Sequence, residues 1–396
     1  MGDLDMKYMQ MALKLAQRGI DSVEPNPAVG CIIVKANQII GKGWHKKFGG
    51  PHAEINALED CKSLGVKPRG ARMYVTLEPC RHEGKTGPCT EAIIKAGLEK
   101  VFIATIDPSA HAGGRGAWQL RQAGIEVQTG LCETEARLLN AAFMKFAATG
   151  RSWVTLKWAQ SIDGKVARAQ NYEGQRWISN EPSRKDVHKL RRRVGAILVG
   201  INTVLVDNPM LTPRPGKGKK PLRIVLDSLL RIPMSCRLLR TARTNPVMVL
   251  TSRAALESNT KAAARIAKKG AELLAYPDTQ GRSNLHFLLE KLSERGIIHV
   301  LVEGGPTVIG SFLEERLADE IRVYISPSLL GACGSADISS ATARLAEAAG
   351  LHHVRTKCFG EDICLTGLTE RGLEAIRFIT GEHHEEDRAA RAPDGT

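Results

Sequence analysis

The chain of 396 residues lacks any uninterrupted apolar stretch of membrane-spanning length, and its first ten residues lack the apolar core of a secretory signal. Aromatic residues make up only 5% of the sequence, and no basic stretch is interleaved with aromatics as in proteins that stack exposed bases. No internal repeat is evident. These absences argue against a membrane protein, a secreted protein and a single-strand-binding protein, and we expect a cytoplasmic location.

The composition fits a globular protein with two domains. Hydrophobic residues make up 43% and charged residues 25%, and 396 residues are long for one core. Nine cysteines form no repeating framework, which fits a reducing compartment. The net charge of +14 is compatible with nucleic acid or with anionic small molecules. Many basic residues fall between Lys189 and Lys220, beside the motifs of the second half.

The first half contains a pattern typical of an open zinc site. His52 lies in a PHAE motif, Cys80 in an EPC motif and Cys89 in a PC motif. One imidazole and two thiolates fill three positions of a tetrahedron and leave the fourth for water, which zinc makes acidic. Glu54, two residues after His52, could move protons without binding metal. The pattern indicates hydrolytic deamination of a nucleobase-like ring.

A structural zinc site or two unpaired cysteines are the alternatives to this catalytic interpretation. Structural sites usually have four protein ligands, and no obvious fourth ligand accompanies His52, Cys80 and Cys89. A structural site also has no use for Glu54. The catalytic interpretation is therefore preferred.

Hydrophobic periodicity predicts alternating helices and strands in the first half. Asp3 is the predicted cap of the first helix, and the predicted glycine ends of two later helices are Gly97 and Gly150. The predicted ranges are helices 3–17, 53–64, 89–96 and 133–147, and strands 29–34, 38–41, 73–77, 100–106 and 125–128. The helices at 53 and 89 place His52 and Cys89 at helix N-termini, where the dipole favours thiolate.

The second half begins with a predicted strand at 153–157 and lacks GxGxxG, which excludes dinucleotide binding in the Rossmann manner. A predicted strand at 298–302 is followed by Glu303, two glycines and Pro306, then by a helix to about 317. Backbone amides at such a helix start can receive phosphate. Alone, the pattern is also compatible with an ordinary tight turn.

Two segments of the first half resemble the bifunctional deaminase/reductase family of riboflavin biosynthesis. They are PNPAVG at 25–30 and PCRHEGKTGPC at 79–89, in which eight residues separate Cys80 from Cys89 where the commoner deaminases have two. Arg81 and Gly87 depart from the family pattern without changing a ligand. The resemblance implies a cytidine-deaminase-like three-layer α/β/α fold, with Asn26 and His82 as substrate contacts. Without the resemblance, Asn26 is a turn residue and His82 a surface histidine.

Three segments of the second half resemble the reductase of the same family, which is similar in fold to dihydrofolate reductase and uses NADPH. They are the run 196–214, LDS at 226–228 and VEGGP at 302–306. The implied NADPH contacts are Ala159, Trp177, Thr203, Asp207, Ser228, Gly305, Pro306, Thr307, Val308, Ile309, Gly310 and Ser311. The implied substrate contacts are Lys157, Gln175, Arg191, Leu211, Arg214 and Glu303.

Two arginines in this set also make physical sense as phosphate ligands, because guanidinium groups bind phosphate in bidentate fashion. Without the resemblance, Arg191 belongs to a solvated helix face and Arg214 is an ordinary loop charge. The proton donor of the reduction is left open among Lys157, Asp207 and Glu303.

The resemblance implies a zinc-dependent deaminase domain at 1–148, an NADPH-dependent reductase domain at 149–380 and a disordered tail at 381–396. Zn²⁺ and NADPH are the expected cofactors, and a pyrimidine ribotide is the expected substrate. A homo-oligomer is the expected assembly, without nucleic acid or membrane partners. The rival hypotheses are a tRNA or cytidine deaminase with an accessory domain, and a binding module with a structural zinc.

Overall fold

The computed structural model describes residues 2–81, 87–109, 112–168, 177–214, 220–277, 284–343, 345 and 347–377. These residues divide into two compact units. Unit 1 contains the residues up to Gly150 together with 374–377, and unit 2 runs Arg151–Leu373. The predicted substrate contacts His82 and Gln175 and the predicted tail lie outside the described residues.

Unit 1 is built around a five-stranded sheet in the order β2-β1-β3-β4-β5, in which β2 and β3 are antiparallel to β1, and β3, β4 and β5 are parallel. Its elements are α1 (Asp3–Ala16), α2 (Ile20–Val23), β1 (Gly30–Lys35), β2 (Gln38–Trp44), α3 (Ala53–Ser63), β3 (Arg72–Val75), α4 (Cys89–Ala96), β4 (Lys100–Ile103), α5 (Arg115–Gln122), β5 (Glu126–Thr129), α6 (Glu133–Leu139) and α7 (Ala141–Thr149).

Alternation along the strands of unit 1 produces two cores, one on each face of the sheet. Cys31 and Ile33 of β1 pack with residues of α3, α4 and α5. Ile32 and Val34 of the same strand pack with residues of α1 and α6. Successive strand residues point to opposite faces, so both faces of the sheet are covered. The arrangement is the three-layer fold predicted for the first half.

Unit 1 differs from the predicted elements in several places. The N-cap of α1 is Gly2, and Asp3 is the first residue of the helix. The helix predicted over 133–147 is two helices, because Asn140 leaves helical geometry and its side chain bonds both the amide and the carbonyl of Ala28. The structure also contains the helices α2 and α5, which the sequence did not predict, and the strand predicted over 100–106 ends at Ile103.

Unit 2 contains a nine-stranded sheet and a two-stranded sheet of β14 and β7. Its elements are β6 (Trp153–Ser161), β7 (Lys165–Arg168), α8 (Glu181–Arg192), β8 (Ala196–Gly200), α9 (Ile201–Asp207), β9 (Leu222–Leu226), α10 (Arg237–Arg240), β10 (Val247–Ser252), α11 (Arg253–Ser258), α12 (Thr260–Lys268), β11 (Glu272–Tyr276), α13 (Leu285–Glu294), β12 (His299–Val302), α14 (Pro306–Glu314), β13 (Glu320–Ser326), β14 (Gly334–Asp337), α15 (Ser339–Thr342), β15 (His352–Phe359), β16 (Asp362–Leu368) and α16 (Glu370–Arg377), which contains the second division point.

The large sheet has the order β11-β10-β9-β8-β12-β6-β13-β16-β15. Its strands are parallel from β11 to β13, and β16 and β15 continue it in antiparallel fashion. Strands β9, β10 and β11 continue from β8 on one side, whereas β12 lies on its other side, so the strand order reverses between β8 and β12. Ligands bind open α/β sheets at the carboxyl ends of strands beside such a reversal.

The hydrophobic core of unit 2 also has two faces. Ile197 and Val199 of β8 pack with residues of α10 and α12. Ala196 and Leu198 of the same strand pack with residues of α13 and α14. Within the part of the chain that the structure describes, no helix has the length and apolar character needed to cross a membrane.

Gly43 of β2 allows α3 to lie directly on the sheet. A Cβ atom on this residue would come 2.1 Å from the carbonyl oxygen of Ala53 and 2.4 Å from the amide nitrogen of Ala57. Both atoms are backbone of α3, the helix that begins just after His52. The close approach therefore sets the position of the helix that carries the first predicted ligand.

We predict that Gly43→Ala destabilises unit 1 by about 1–3 kcal/mol, because the added methyl group forces α3 away from β2. Thermal unfolding followed by circular dichroism will measure the change. Gly350→Ala is the matched control, since a Cβ at Gly350 meets no atom within 4 Å. An unfolding midpoint of Gly43→Ala equal to that of the parent and the control would contradict the close packing.

Candidate functional site

The three predicted zinc ligands converge in unit 1. His52 is the N-cap of α3, Cys89 is the first residue of α4, and Cys80 follows β3. The Nδ1 atom of His52 lies 3.4 Å from the Sγ atom of Cys80 and 3.3 Å from that of Cys89. The three ligand atoms all lie within 4.8 Å of one another. They are the one group of potential metal ligands of this kind found among the described residues.

The donor set and its spacing fit a tetrahedral zinc ion. Zinc binds cysteine sulfur at about 2.3 Å and histidine nitrogen at about 2.0 Å, which puts neighbouring ligands of a tetrahedron about 3.5 Å apart. The nitrogen to sulfur distances of 3.4 and 3.3 Å agree with this spacing. Two sulfurs and one nitrogen are also a ligand set that zinc favours. Among the described residues the site thus offers three candidate protein ligands, one fewer than a tetrahedral zinc ion takes.

Local electrostatics favour a thiolate at Cys80. The backbone amide of Cys89 donates a hydrogen bond to the Cys80 sulfur over 3.5 Å. This amide belongs to the first turn of α4, where the helix dipole stabilises negative charge. Hydrogen bonding by the Cys89 thiol, with further help from His52, lowers the pKa of Cys80 to about 4. Deprotonated sulfur is the form that binds metal.

Glu54 lies on the first turn of α3, beside the three ligands. Its side chain is buried, with only 3% of the residue exposed. Burial raises the pKa of Glu54 to about 7, although the Glu54 backbone amide and His52 act in the opposite direction. A carboxyl group with such a pKa can both accept and release a proton near neutrality.

His45 is a residue near this centre that the sequence analysis did not select. Its ring lies 5.4 Å from the ring of His52, and it is 3% exposed. Among the described residues, its buried Nε2 atom has no hydrogen-bond partner. Burial and the neighbouring His52 lower the pKa of His45, while hydrogen bonds with the backbone of Pro27 and Lys47 oppose this. The half-buried predicted substrate contact Asn26 directly precedes Pro27.

The carboxyl edge of the large sheet in unit 2 brings several predicted NADPH contacts together. Thr203 lies in α9, directly after β8, and Gly305 is the N-cap of α14, after β12. A Cβ on Gly305 would lie 4.0 Å from the hydroxyl oxygen of Thr203. Pro306 occupies the first turn of α14, as predicted. The start of α14 therefore faces α9 at the point where the strand order reverses.

The other predicted cofactor contacts lie on several segments of unit 2. Ser228 follows β9, and its carbonyl accepts a hydrogen bond of 3.0 Å from the hydroxyl of Ser252. Asp207 is the last residue of α9. Ala159 lies on β6, three residues beyond the position that pairs with the end of β12. Trp177 is 54% exposed, and the guanidinium of Arg184 lies 5.5 Å from its ring centroid.

A cluster of buried charges lies where β12 ends. Arg191 donates two hydrogen bonds to Glu303, from Nε at 2.6 Å and from Nη2 at 2.8 Å. The ammonium group of Lys157 lies 3.9 Å from the same carboxylate. Burial alone would raise the pKa of Glu303, but Arg191 and Lys157 lower it to about 2. Glu303 is therefore an anion held between two cations.

Two residues near this cluster change the predicted site: His188 is added, and the side chain of Leu211 belongs to the core. His188 lies on α8, one turn before Arg191, and burial, Arg191 and Arg214 lower its pKa to about 4. The sequence analysis did not select His188, whose only signal was its spacing of three residues from Arg191. Leu211 has a positive φ of 52° and is 2% exposed, with its side chain in the core of unit 2. Its side chain is thus a packing element, and its backbone is what could face a ligand.

Fold and sites together define an enzyme class that combines a zinc-dependent deaminase unit with an α/β reductase unit. Two family descriptions match in the same order. "Cytidine and deoxycytidylate deaminase zinc-binding region" matches residues 3–105, and "RibD C-terminal domain" matches residues 152–365. The second match covers more than half of the sequence, and the chain belongs to the RibD family of riboflavin biosynthesis enzymes.

Similar curated proteins extend over both units. The riboflavin biosynthesis protein RibD of Aquifex aeolicus is 44% identical over 330 residues, which are 83% of this chain and 88% of that protein. RibD of Escherichia coli strain K12 is 39% identical over 376 residues, covering 91% of this chain and 98% of that protein.

Solved structures show the same two-unit similarity. RibD of Acinetobacter baumannii, form 1, is 36% identical with a TM-score of 0.75, covering 92% of this chain and 99% of that one. A diaminohydroxyphosphoribosylaminopyrimidine deaminase/5-amino-6-(5-phosphoribosylamino)uracil reductase of Thermotoga maritima is 34% identical with a TM-score of 0.76 and the same coverage.

These findings confirm the family, the fold class and the bifunctional activity expected from the sequence. The chain is a deaminase and reductase of riboflavin biosynthesis, with a zinc-binding N-terminal domain and an NADPH-dependent C-terminal domain. The rival tRNA deaminase and structural-zinc hypotheses do not account for a reductase match over 152–365.

We predict that Cys89→Ser loses most of its zinc, because a serine hydroxyl is a weaker zinc ligand than a thiolate. Metal analysis after gel filtration in the presence of a weak chelator will measure zinc per chain. Cys333→Ser is the control, since Cys333 is an exposed cysteine of unit 2. Zinc at the parent level in Cys89→Ser would contradict the assigned ligand set.

Proposed function

We propose that the chain catalyses two successive steps on one pyrimidine ribotide. The first is hydrolytic deamination of 2,5-diamino-6-ribosylamino-4(3H)-pyrimidinone 5′-phosphate. The second is NADPH-dependent reduction of the ribosyl group, which gives 5-amino-6-ribitylamino-uracil 5′-phosphate. The observation that carries the first step is the convergence of His52, Cys80 and Cys89 beside the buried Glu54. The name of the Thermotoga maritima relative supports the substrate.

In the deamination, the residues of unit 1 hold and protonate the reactants. Zinc held by His52, Cys80 and Cys89 would supply an acidified water as nucleophile. Glu54 accepts a proton from this water and delivers protons to the ring nitrogen and to the departing amine, which leaves as ammonia. The water oxygen replaces the amine on the ring carbon. Asn26 is proposed to orient the pyrimidine or the ribose, as is His82 from outside the described residues.

We predict that Glu54→Gln retains zinc and loses deamination, because the amide cannot exchange protons while all three ligands remain. Each protein is incubated with the diaminopyrimidine ribotide, and the products are identified by mass. The parent should replace an amine by oxygen without NADPH and add two hydrogens when NADPH is present. Glu54→Gln should leave the substrate unchanged yet still reduce the deaminated intermediate.

Glu59→Gln is the matched control, because Glu59 lies on the exposed side of the same helix. It should retain both activities. Loss of zinc from Glu54→Gln would make Glu54 a ligand and overturn its proton-transfer role. A parent protein that leaves the ribotide unchanged would overturn the proposed substrate.

In the reduction, bound NADPH would supply a hydride for the anomeric carbon of the ribosyl group. We propose that the cofactor lies along the carboxyl edge of the sheet. The proposed contacts are Ala159, Trp177, Thr203, Asp207, Ser228 and the segment 305–311. The position of the α14 N-terminus at the strand-order reversal supports this placement.

The buried charge cluster narrows the choice of proton donor. Glu303 is ion-paired with Arg191, and its lowered pKa of about 2 leaves no proton to donate at neutral pH. Burial lowers the pKa of Lys157, although Glu303 acts in the opposite direction. The ammonium group of Lys157 therefore releases its proton more readily than that of an exposed lysine. We therefore favour Lys157 over Glu303 and over Asp207, which ends α9 on its exposed side.

The same cluster separates the roles of the two arginines. Arg191 already donates from two nitrogens to Glu303, so its guanidinium is committed to that carboxylate. Arg214 is exposed and close enough to His188 to influence its pKa. We propose that Arg214 binds the ribotide phosphate and that Arg191 holds Glu303 for a substrate hydroxyl. Gln175, a further proposed substrate contact, lies outside the described residues.

We predict that Arg214→Ala raises the KM of the reductase for its ribotide about tenfold or more. Losing one charge-assisted hydrogen bond costs about 1.5–3 kcal/mol, and about 1.4 kcal/mol corresponds to a factor of ten. NADPH affinity and deamination should stay at the parent level. Arg265→Ala, an exposed arginine of α12, is the control for charge removal.

Steady-state kinetics of each half-reaction will separate these outcomes. A normal KM for the ribotide combined with weakened NADPH binding would move Arg214 to the cofactor site. Equal changes in Arg214→Ala and Arg265→Ala would show a general charge effect in place of a specific phosphate contact.

We further propose that 1–148 and 149–380 are the functional domains, that 381–396 is a disordered tail, and that the enzyme is a cytoplasmic homo-oligomer. The domain limits are supported by the matches at 3–105 and 152–365. A small-molecule substrate accounts for both sites without a nucleic-acid partner.

A further inference from the structure

Glu78, the first residue of the EPC motif, accepts hydrogen bonds from a distant part of the chain. It lies two residues before the ligand Cys80 and is 5% exposed. Its carboxylate accepts three backbone hydrogen bonds. Oε2 accepts from the amides of Asp107 at 3.2 Å and Gly114 at 2.9 Å, and Oε1 accepts from that of Ala117 at 3.0 Å. All three donors lie in the loop after β4 or in the first turn of α5.

The Glu78 carboxylate supplies the hydrogen-bond acceptor that the N-cap residue of α5 lacks. The N-cap residue is Gly114, which has no side chain to accept from the first turn. Ala117, the third residue of the helix, instead donates to Glu78 from 39 positions earlier in the chain. A carboxylate at this end also interacts favourably with the helix dipole. These hydrogen bonds connect the segment just before Cys80 to the start of α5.

Gly116 brings the helix into direct contact with the same chain segment. A Cβ on Gly116 would lie 2.1 Å from the carbonyl oxygen of Pro79, the residue before Cys80. Backbone cannot move aside as the end of a flexible side chain can. The first turn of α5 and the peptide preceding Cys80 are therefore in backbone contact that only glycine allows.

The second turn of α5 contacts the residue that follows the other cysteine. Gln119 accepts a hydrogen bond of 2.8 Å from the hydroxyl of Thr90, the residue after Cys89. The amide of Thr90 in turn donates to the carbonyl of Cys80 at 3.2 Å. One helix thus contacts the chain next to both thiolate ligands.

External support of this kind matters because of the spacing of the two cysteines. Eight residues separate Cys80 from Cys89, so a short turn does not fix the distance between their sulfurs. A zinc site holds its metal tightly when groups behind the ligands fix their orientation. The contacts of α5 supply that constraint from outside the connecting segment.

We propose that α5 is the support of the zinc centre and that Glu78 is its main positioning residue, setting how firmly zinc is retained. The proposal rests on the proposed ligand set. It assigns no step of the reaction to Glu78. Its consequence is that weakening the contacts of α5 speeds zinc loss while His52, Cys80 and Cys89 are all still present.

The test compares zinc release from the full-length zinc-loaded protein to a chromophoric chelator in excess. In Glu78→Gln, one acceptor oxygen becomes an NH₂ group that faces a backbone N–H donor. We expect release to be about tenfold faster or more, the scale seen when groups behind metal ligands are changed. Gln119→Leu should accelerate release to a smaller extent, and Gln119→Glu, which still accepts from Thr90, should restore the parent rate.

A spectroscopic readout separates positioning from general loosening. Cobalt(II) in place of zinc reports ligand geometry through its visible absorption bands, and we expect these bands to shift in Glu78→Gln and Gln119→Leu. Arg115→Ala, on the exposed face of α5, should leave both readouts at parent values. Reductase activity of the same chains checks that unit 2 remains folded.

The outcomes are distinct. Parent release rates and parent cobalt spectra in both Glu78→Gln and Gln119→Leu would overturn the proposal. If Glu78→Gln fails to fold, the Gln119→Leu and Gln119→Glu pair decides, because equal release from that pair would also overturn it. If zinc persists in Cys89→Ser, the ligand set fails instead, which is a separate result.

Discussion

The deaminase centre depends on one geometric constraint: three proposed ligands from three separate segments of the chain must lie within a few ångströms of one another. The sheet of unit 1 satisfies it. α3 and α4 pack on the same face of the sheet, with Ala57 and Ile93 in a shared core. Burying one large aliphatic side chain contributes about 1.5–3 kcal/mol, so a core of this size stabilises the positions of both helices. The packing of α3 and α4 therefore sets the distance between His52 and Cys89.

In the reductase unit, ion pairs hold the candidate site residues in position. Glu303 lies at the end of a buried strand, where an unpaired carboxylate would be strongly destabilising. Arg191 and Lys157 compensate it, which leaves the cluster with one net positive charge. A site with an excess positive charge in a poorly solvated location suits an anionic substrate. It also holds the polar atoms in fixed positions before the substrate arrives.

Local signals account for the parts of the structure that the sequence predicted well. Pro306 starts α14 and Gly97 ends α4, because the preferences of both residues act within one turn. Long-range hydrogen bonds account for what it missed. Asn140 ends a helix by pairing with Ala28, 112 positions away, and Glu78 caps α5 across 39 positions. No pattern within a window of one helix contains that information.

The candidate site residues also differ in whether a local sequence motif identifies them. The ligands and Glu54 stand in short motifs whose chemistry is readable from residue type and spacing. His45 and His188 carry no motif, and they become visible only when the fold places them beside His52 and Arg191. Their lowered pKa values arise from burial and neighbouring charge, which are properties of the folded chain.

Part of the positive charge behind the net +14 is buried inside the fold. Arg223 is fully buried and donates to backbone carbonyls, including those of Met210 and Asn245. Arg322 pairs with Asp186, and Arg191 pairs with Glu303. Such arginines add to the formal charge without forming a surface that nucleic acid could contact. The remaining positive charge is compatible with an enzyme whose ribotide substrate and dinucleotide cofactor are both phosphorylated anions.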